Sequence, residues 1–101
     1  MIHTVGPVYS GVPRDAELLA SCHTASLRVA DELGVSTVAF PAISTGAFGY
    51  PLRQAAPVAI AAVRGAATKV SEVRFVLFDD AALDAFSRAL EIATGSIGNE
   101  P

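Results

Sequence analysis

The residues best suited to chemistry lie together: Ser44, Thr45, Gly46, Ala47, Phe48, Gly49 and Tyr50, between an apolar run at 35–43 and Pro51. Their order reads as the end of a buried strand, a small-residue turn, and a proline whose locked φ suits the first position of a helix. A junction of this kind gathers unpaired backbone N–H groups at one point. The positive end of the helix dipole adds to them, so the natural guest is an anion, most often a phosphate. A plain strand-to-helix loop, in which Gly46 and Gly49 only supply positive φ, fits the same spacing. No lysine lies in or just after the loop, and two glycines make half of a dinucleotide fingerprint, so neither phosphate-loop motif with a known signature is present. Main-chain amides would have to hold the phosphate alone. Phe48, between two glycines, is expected to project from the loop and pack on a sugar or base. Tyr50, beside Pro51, is read as covering the core.

Few other side chains carry a chemical signal. His3 has no Cys, Asp or Ser at a spacing that makes a recognisable site and is expected to be a hydrogen-bonded, partly buried histidine. Cys22 is the one cysteine, which excludes an internal disulfide, and it falls where a small buried hydrophobe belongs. His23 is expected at the surface or its boundary. His3, Cys22 and His23 form no recognised ligand pattern, so no metal is expected, and no cofactor either. Arg53 reads as solvated, and Asp79 or Asp80 as a helix N-cap.

These residues must be positioned by a small set of elements. Residues 2–5 read as a short strand closed by Gly6 and Pro7, and 9–13 as a surface loop. Arg14 to Leu33 is a helix with Asp15 and Glu17 in its first turn, a buried stripe of Leu18, Cys22, Ala25, Val29 and Leu33, and Gly34 as a left-handed stop. Residues 35–43 form a strand that Pro41 ends or bulges. A second helix follows Pro51, with Leu52, Ala56, Ala59, Val63 and Ala67 on its inner face and Pro57 expected to kink it or delay its start. Residues 73–78 form a third strand. Leu83, Phe86 and Leu90 then mark the buried face of a helix that Gly95 stops. The order β-α-β-α-β-α gives an α/β layered fold with no second domain. In such folds ligands sit beyond the carboxyl ends of strands, so the loop after Ile43 and the Phe78–Asp79 junction should share one rim, with Phe78 either flanking a ligand or in the core.

Composition narrows the partners. A formal net charge of −3, a pI near 5.1 and the absence of a Lys/Arg cluster argue against a nucleic-acid polymer. No apolar stretch is long enough to span a bilayer, and the N-terminus lacks a leader pattern, so the expected compartment is the cytoplasm. Yet 51% of the 101 residues are hydrophobic, and mean hydropathy is +0.46. That excess means either a sheet covered on both faces or apolar surface meant for a partner.

Three blocks then carry a resemblance: Ile2-His3-Thr4-Val5-Gly6-Pro7-Val8, Phe40 through Pro51, and Val73-Arg74-Phe75-Val76-Leu77-Phe78-Asp79. In order and spacing the chain resembles the macrodomain family on its MacroD-like side, over that domain's second half. The resemblance implies a partial three-layer macrodomain-like α/β fold lacking the N-terminal strands, with residues 1–95 as the C-terminal half and 96–101 as a flexible tail. It implies recognition of ADP-ribose or an ADP-ribosyl group, with residues 44–50 wrapping the diphosphate and distal ribose. Similar proteins hydrolyse O-acetyl-ADP-ribose and remove ADP-ribose from acidic side chains, using polar residues of an Asn-rich and a glycine-rich segment. Neither segment has a match in this chain, so no catalytic residue carries over. The family's sheet also places a strand between the first two strands here. The expected consequence is an intertwined homo-oligomer or a complementing N-terminal half. A binding module without catalysis, and a truncated half-domain acting only through association, are the alternatives.

Overall fold

The computed structural model describes residues 2–94; the expected stop at Gly95 and the tail at 96–101 lie outside them. Five elements follow in the order α1 (Arg14–Leu33), β1 (Thr37–Phe40), α2 (Leu52–Gly65), β2 (Glu72–Phe75) and α3 (Asp80–Thr94). The two strands pair in parallel, Thr37 opposite Glu72 and Phe40 opposite Phe75. Because side chains alternate along a strand, Val38, Phe40, Val73 and Phe75 share one face. α1 and α3 pack on it: His23 of α1 meets the rings of Phe40 and Phe75 at 4.9 and 6.2 Å, and Phe86 of α3 meets Phe75 at 4.9 Å; α2 packs against both of these helices. The other face carries Thr37, Ala39, Glu72 and Arg74, all exposed.

Residues 2–5 are not a strand. A strand needs a ladder partner, and the only pairing among the described residues is β1 with β2. This segment instead lies against α1, where the Cys22 thiol donates to the Val5 carbonyl at 3.2 Å. His3 is exposed rather than partly buried.

The boundaries of α1 match the sequence expectation, including Gly34 at φ +74°, but its buried face does not. Leu19, Cys22, His23, Ser26, Leu27 and Ala30 point inward with Asp15, while Leu18, Val29 and Leu33 are 39, 39 and 64% exposed. Polar residues could take the inner face because each is satisfied locally. The Asp15 carboxylate accepts the N–H groups of Ser10, Gly11 and Val12 and the Ser10 hydroxyl, at 2.8–3.2 Å. The Ser10 amide foremost holds its carboxyl below the usual range, against the opposite pull of burial. Ser26 Oγ donates to the Cys22 carbonyl at 2.8 Å. Hydropathy periodicity does not register such local satisfaction.

His23 is the largest departure. It is 1% exposed, its Nδ1 lies 2.9 Å from the Leu19 carbonyl, and its Nε2 is buried without a partner. Since only Nδ1–H can donate to that carbonyl, Nε2 carries the bare lone pair. Burial lowers the pKa of the ring below its ordinary 6.5, with the Leu19 bond opposing. The unfolded chain therefore takes up a proton that the folded core refuses. This contribution to stability is complete above about pH 6.5 and declines as the pH falls toward the folded-state pKa. His23→Phe, which keeps a ring among rings, is expected to flatten that decline. Urea midpoints at pH 7.5 and 5.5 check it, and an equal fall in both proteins would clear His23 as the source.

Pro57 lies inside α2 on its exposed side and does not delay the helix, which begins at Leu52. The N–H it lacks would have met the Arg53 carbonyl, on a side open to water. Pro51 itself stands one position before the helix, as its N-cap with ψ +132°. Ala55, Ala56, Ala59 and Ile60 form the inner face of α2, and Ala67 falls beyond its end. In α3, Ala82, Phe86 and Ala89 are buried while Leu83 and Leu90 are 56 and 47% exposed. Alanines on both helices let α2 and α3 approach closely around Phe86, an interface that ranking by hydrophobicity overlooks. Asp79 is the N-cap of α3, its Oδ1 accepting the Ala82 N–H at 2.9 Å.

Candidate functional site

β1 ends at Phe40 and Pro41 follows, where no ladder bond is required. The chain then closes on itself: the Thr45 N–H and hydroxyl both donate to the Ala42 carbonyl at 3.3 and 2.8 Å, Gly49 N–H donates to Gly46 at 3.0 Å, and Tyr50 N–H donates to Ser44 at 2.8 Å. The amides of Ser44, Gly46, Ala47 and Phe48 are given no carbonyl by this pattern. Gly46 and Ala47 are exposed, and α2 begins just beyond, its positive end adding to the field at the loop. Amides without a main-chain acceptor on an exposed loop beside a helix start are an anion-binding arrangement.

Backbone conformation separates the glycines. Gly49 has φ +77°, which only glycine adopts without strain, but Gly46 does not. Left-handed backbone occurs instead at Ser44, φ +69°, the only such non-glycine among the described residues. An L-residue pays roughly 1–2 kcal/mol for this. Its surroundings hold Ser44 there: its carbonyl accepts from Tyr50, and its Oγ is sealed in without a hydrogen-bond partner. Gly6 lies directly over it, so close that a Cβ on Gly6 would overlap Ser44 Oγ and stand 2.5 Å from Ile43 Cγ2. Ser44 thus keeps its hydroxyl hidden, and its N–H donates to no main-chain carbonyl.

The other candidates sort by exposure. Thr45 turns its hydroxyl inward to Ala42. Phe48 is 38% exposed, and its carbonyl accepts the Tyr9 N–H at 2.9 Å. Tyr50, 4% exposed, packs under the loop with Leu19 and Ala55. Burial raises its pKa above 10.0, helped by the charge of Asp15 and by Tyr9. Phe78 is 95% exposed, which removes its reading as a core aromatic. It follows the end of β2, and because β1 and β2 run parallel, it leaves the sheet at the same end as the 44–50 loop. Arg53 is exposed. Among the described residues no group of three His, Cys, Asp or Glu is placed to hold a metal ion, and no helix is long and apolar enough to cross a membrane.

Two contributors escaped the sequence reading. From the sequence Gly6 reads as a turn residue before Pro7, and its role as a close-approach glycine depends on Ser44, 38 positions away. From the sequence Tyr9 reads as part of a surface loop. Its ring packs at 5.0 Å from Tyr50 and its hydroxyl donates to Gln54 at 3.2 Å, so the N-terminal segment becomes a wall of the site.

Comparison with known proteins agrees with this fold. The family model for the Macro domain matches residues 1–59. A macro domain-containing protein of Streptomyces nogalater is 56% identical over 90 residues, covering 89% of this chain and 50% of that protein. An Oceanobacillus iheyensis macrodomain solved with ADP superposes with a TM-score of 0.86 at 32% identity, over 93% of this chain and 51% of its own. A single-site variant of it, solved with ADPR, gives the same score and identity over 92% and 52%. The chain spans about half the length of the relatives it matches.

Proposed function

Since the chain belongs to the macro domain family, we propose that its rim recognises ADP-ribose or a protein-linked ADP-ribosyl group, with residues 44–50 as the diphosphate cradle. The observation that carries this is the exposed stretch Gly46, Ala47 and Phe48, whose amides are given no carbonyl by the closed turn around them. Each amide donating to a charged phosphate oxygen supplies a charge-assisted bond without a lysine. Phe48 and Phe78, both exposed at one end of the sheet, offer flat apolar surface to ribose or adenine. The solved Oceanobacillus macrodomains, one with ADP and one with ADPR, support the choice of ligand. Calorimetric titration with ADP-ribose tests it, against ribose 5-phosphate and adenosine as fragments. Saturable binding of ADP-ribose, far tighter than either fragment, is expected; heat no greater than that of adenosine would remove the diphosphate cradle.

Recognition, rather than turnover, is the activity assigned to this chain by itself. Of the acidic groups near the rim, Asp79 is occupied as a helix cap and Asp15 by four donors. Hydrolysis of O-acetyl-ADP-ribose or of ADP-ribosylated acidic side chains is proposed for the chain joined to a complementing half, or to further copies of itself, in the cytoplasm. Acetate release from O-acetyl-ADP-ribose distinguishes the two activities.

A further inference from the structure

Asp15 is a buried carboxylate whose bonds exceed what its own helix needs. One of them, from the Val12 N–H at 3.2 Å, serves the start of α1. The other three reach further back, to the Ser10 and Gly11 N–H groups and the Ser10 hydroxyl at 2.8–2.9 Å. Ser10, Gly11 and Val12 are all exposed, so burial does little to hold them. Tyr9 comes immediately before, and it is tied to the loop and to α2 from three directions. Its N–H donates to the Phe48 carbonyl at 2.9 Å, its ring lies 5.0 Å from that of Tyr50, and its hydroxyl donates to Gln54 Oε1 at 3.2 Å in the first turn of α2. The Phe48–Gly49 peptide is thereby clamped at both ends, because its N–H donates to the Gly46 carbonyl at 3.0 Å while its carbonyl takes the Tyr9 N–H. Among the described residues that Tyr9 bond is the only main-chain link from residues 2–12 to the 44–50 loop.

We infer that Asp15 is a positioning residue for the phosphate loop: by fixing Ser10, Gly11 and Val12 it holds Tyr9 against Phe48, and Tyr9 sets the plane of the peptide that closes the Gly46–Phe48 run. This role rests on the nucleotide reading for its ligand, whereas the ordering of the loop is a property of the chain alone. Capping of α1 accounts for the Val12 bond but not for those from Ser10 and Gly11. Nor does a role as surface charge fit, since a carboxylate is seldom buried unless its partners compensate it. Among the described residues Asp15 makes no hydrogen bond to the 44–50 loop, so its effect there must pass through a neighbour, and Tyr9 is the neighbour in place. The pattern of acceptors also provides a sharp control. Asp15 Oδ2 takes all three N–H groups and Oδ1 takes only the Ser10 hydroxyl. A hydroxyl can turn from donor to acceptor, so Asp15→Asn can set its carbonyl oxygen at the amides and its NH₂ toward Ser10 without moving the chain. Asp15→Ala keeps no acceptor at all.

The test titrates ADP-ribose into the full chain and its variants at a temperature where each is folded, and records amide hydrogen exchange on the same preparations. Asp15→Ala should lower affinity about 10- to 100-fold, the worth of one charge-assisted bond that a displaced loop no longer makes. It should also speed exchange at the Tyr9 and Gly49 amides while those of α3 keep their rates. Asp15→Asn should recover most of the affinity. In a Tyr9→Ala background, Asp15→Ala should cost no further affinity, because both changes break one contact chain; a merely structural Asp15 would leave the two losses additive. Equal losses for the Asn and Ala variants, additive losses with Tyr9→Ala, or unaltered Gly49 exchange would each overturn the inference. If Asp15→Ala does not fold, the unaltered chain decides: the Tyr9, Gly11, Val12 and Gly49 amides should open as one unit, and a Gly49 amide that opens independently of the others would sink the proposal. No binding of ADP-ribose by the unaltered chain would remove the nucleotide reading alone, and the exchange rates would still decide whether Asp15 orders the loop.

Discussion

Gly46→Leu is expected to lower affinity for ADP-ribose by at least 100-fold while leaving the thermal midpoint unchanged. The two halves of that expectation have separate causes. Gly46 has an ordinary negative φ, and a Cβ built on it meets no atom within 4 Å, so the fold has no steric objection to a side chain. That open space borders the amides of Gly46, Ala47 and Phe48, which donate to no main-chain carbonyl, so the added isobutyl group would crowd the place proposed for a phosphate. A hydrogen bond to a charged oxygen is worth about 1.5–3 kcal/mol. Losing two such bonds amounts to about 3–6 kcal/mol, and each 1.4 kcal/mol is tenfold in affinity. Calorimetry and a melting curve on one preparation check both halves. Unchanged affinity in a folded variant would take the loop out of the site, and with it the diphosphate assignment.

Gly6→Ala should show the opposite pattern, with a large loss of stability and a secondary loss of binding. The added methyl would overlap Ser44 Oγ and press on Ile43 Cγ2 at 2.5 Å, so both side chains would have to shift. The Ser44 hydroxyl is already enclosed without a partner, and Ile43 packs against Leu19, Tyr50 and Ala55 beneath the loop. Forcing an extra methyl into such a contact costs about 1–3 kcal/mol. For a domain of this size that is a fall in melting temperature of roughly 5–20 °C, at about 4–8 °C per kcal/mol. Because the displaced residue is the one holding left-handed backbone, the amides after it should move and ADP-ribose affinity should fall too. Adding Ser44→Ala removes one of the two clashes, so the double variant should recover part of the stability. Strict additivity of the two changes would show that Gly6 and Ser44 do not press on each other.

Together these variants separate the two jobs of the loop, since Gly46 serves the ligand and Gly6 serves the loop. A sequence reading ranks them in the reverse order of certainty. Gly46 stands in a run of small residues and advertises itself, whereas Gly6 needs Ser44 beside it before its lack of a side chain has any meaning.

Local chemistry was legible along the chain. The span of α1, its glycine stop, the Asp79 cap, the burial of Tyr50 and Cys22, and the rim shared by the 44–50 loop and Phe78 all follow from patterns within a few residues. So does the family resemblance, which the comparisons uphold. Each depends on backbone geometry that a short segment carries with it: a left-handed stop, a capping carboxylate, a small-residue turn after an apolar run.

What only the tertiary structure decided is which side of each element faces inward and what the N-terminal segment does. Residues 2–5 have the composition of a strand, but a strand exists only with a neighbour to bond, and that neighbour is not encoded within the segment. The inner face of α1 takes Asp15, His23 and Ser26 in place of Leu18, Val29 and Leu33, because satisfied polar groups can be buried and apolar ones can wait for another surface. Hydropathy measures a residue's own preference for water; burial also depends on the donors, acceptors and rings that long-range folding brings beside it.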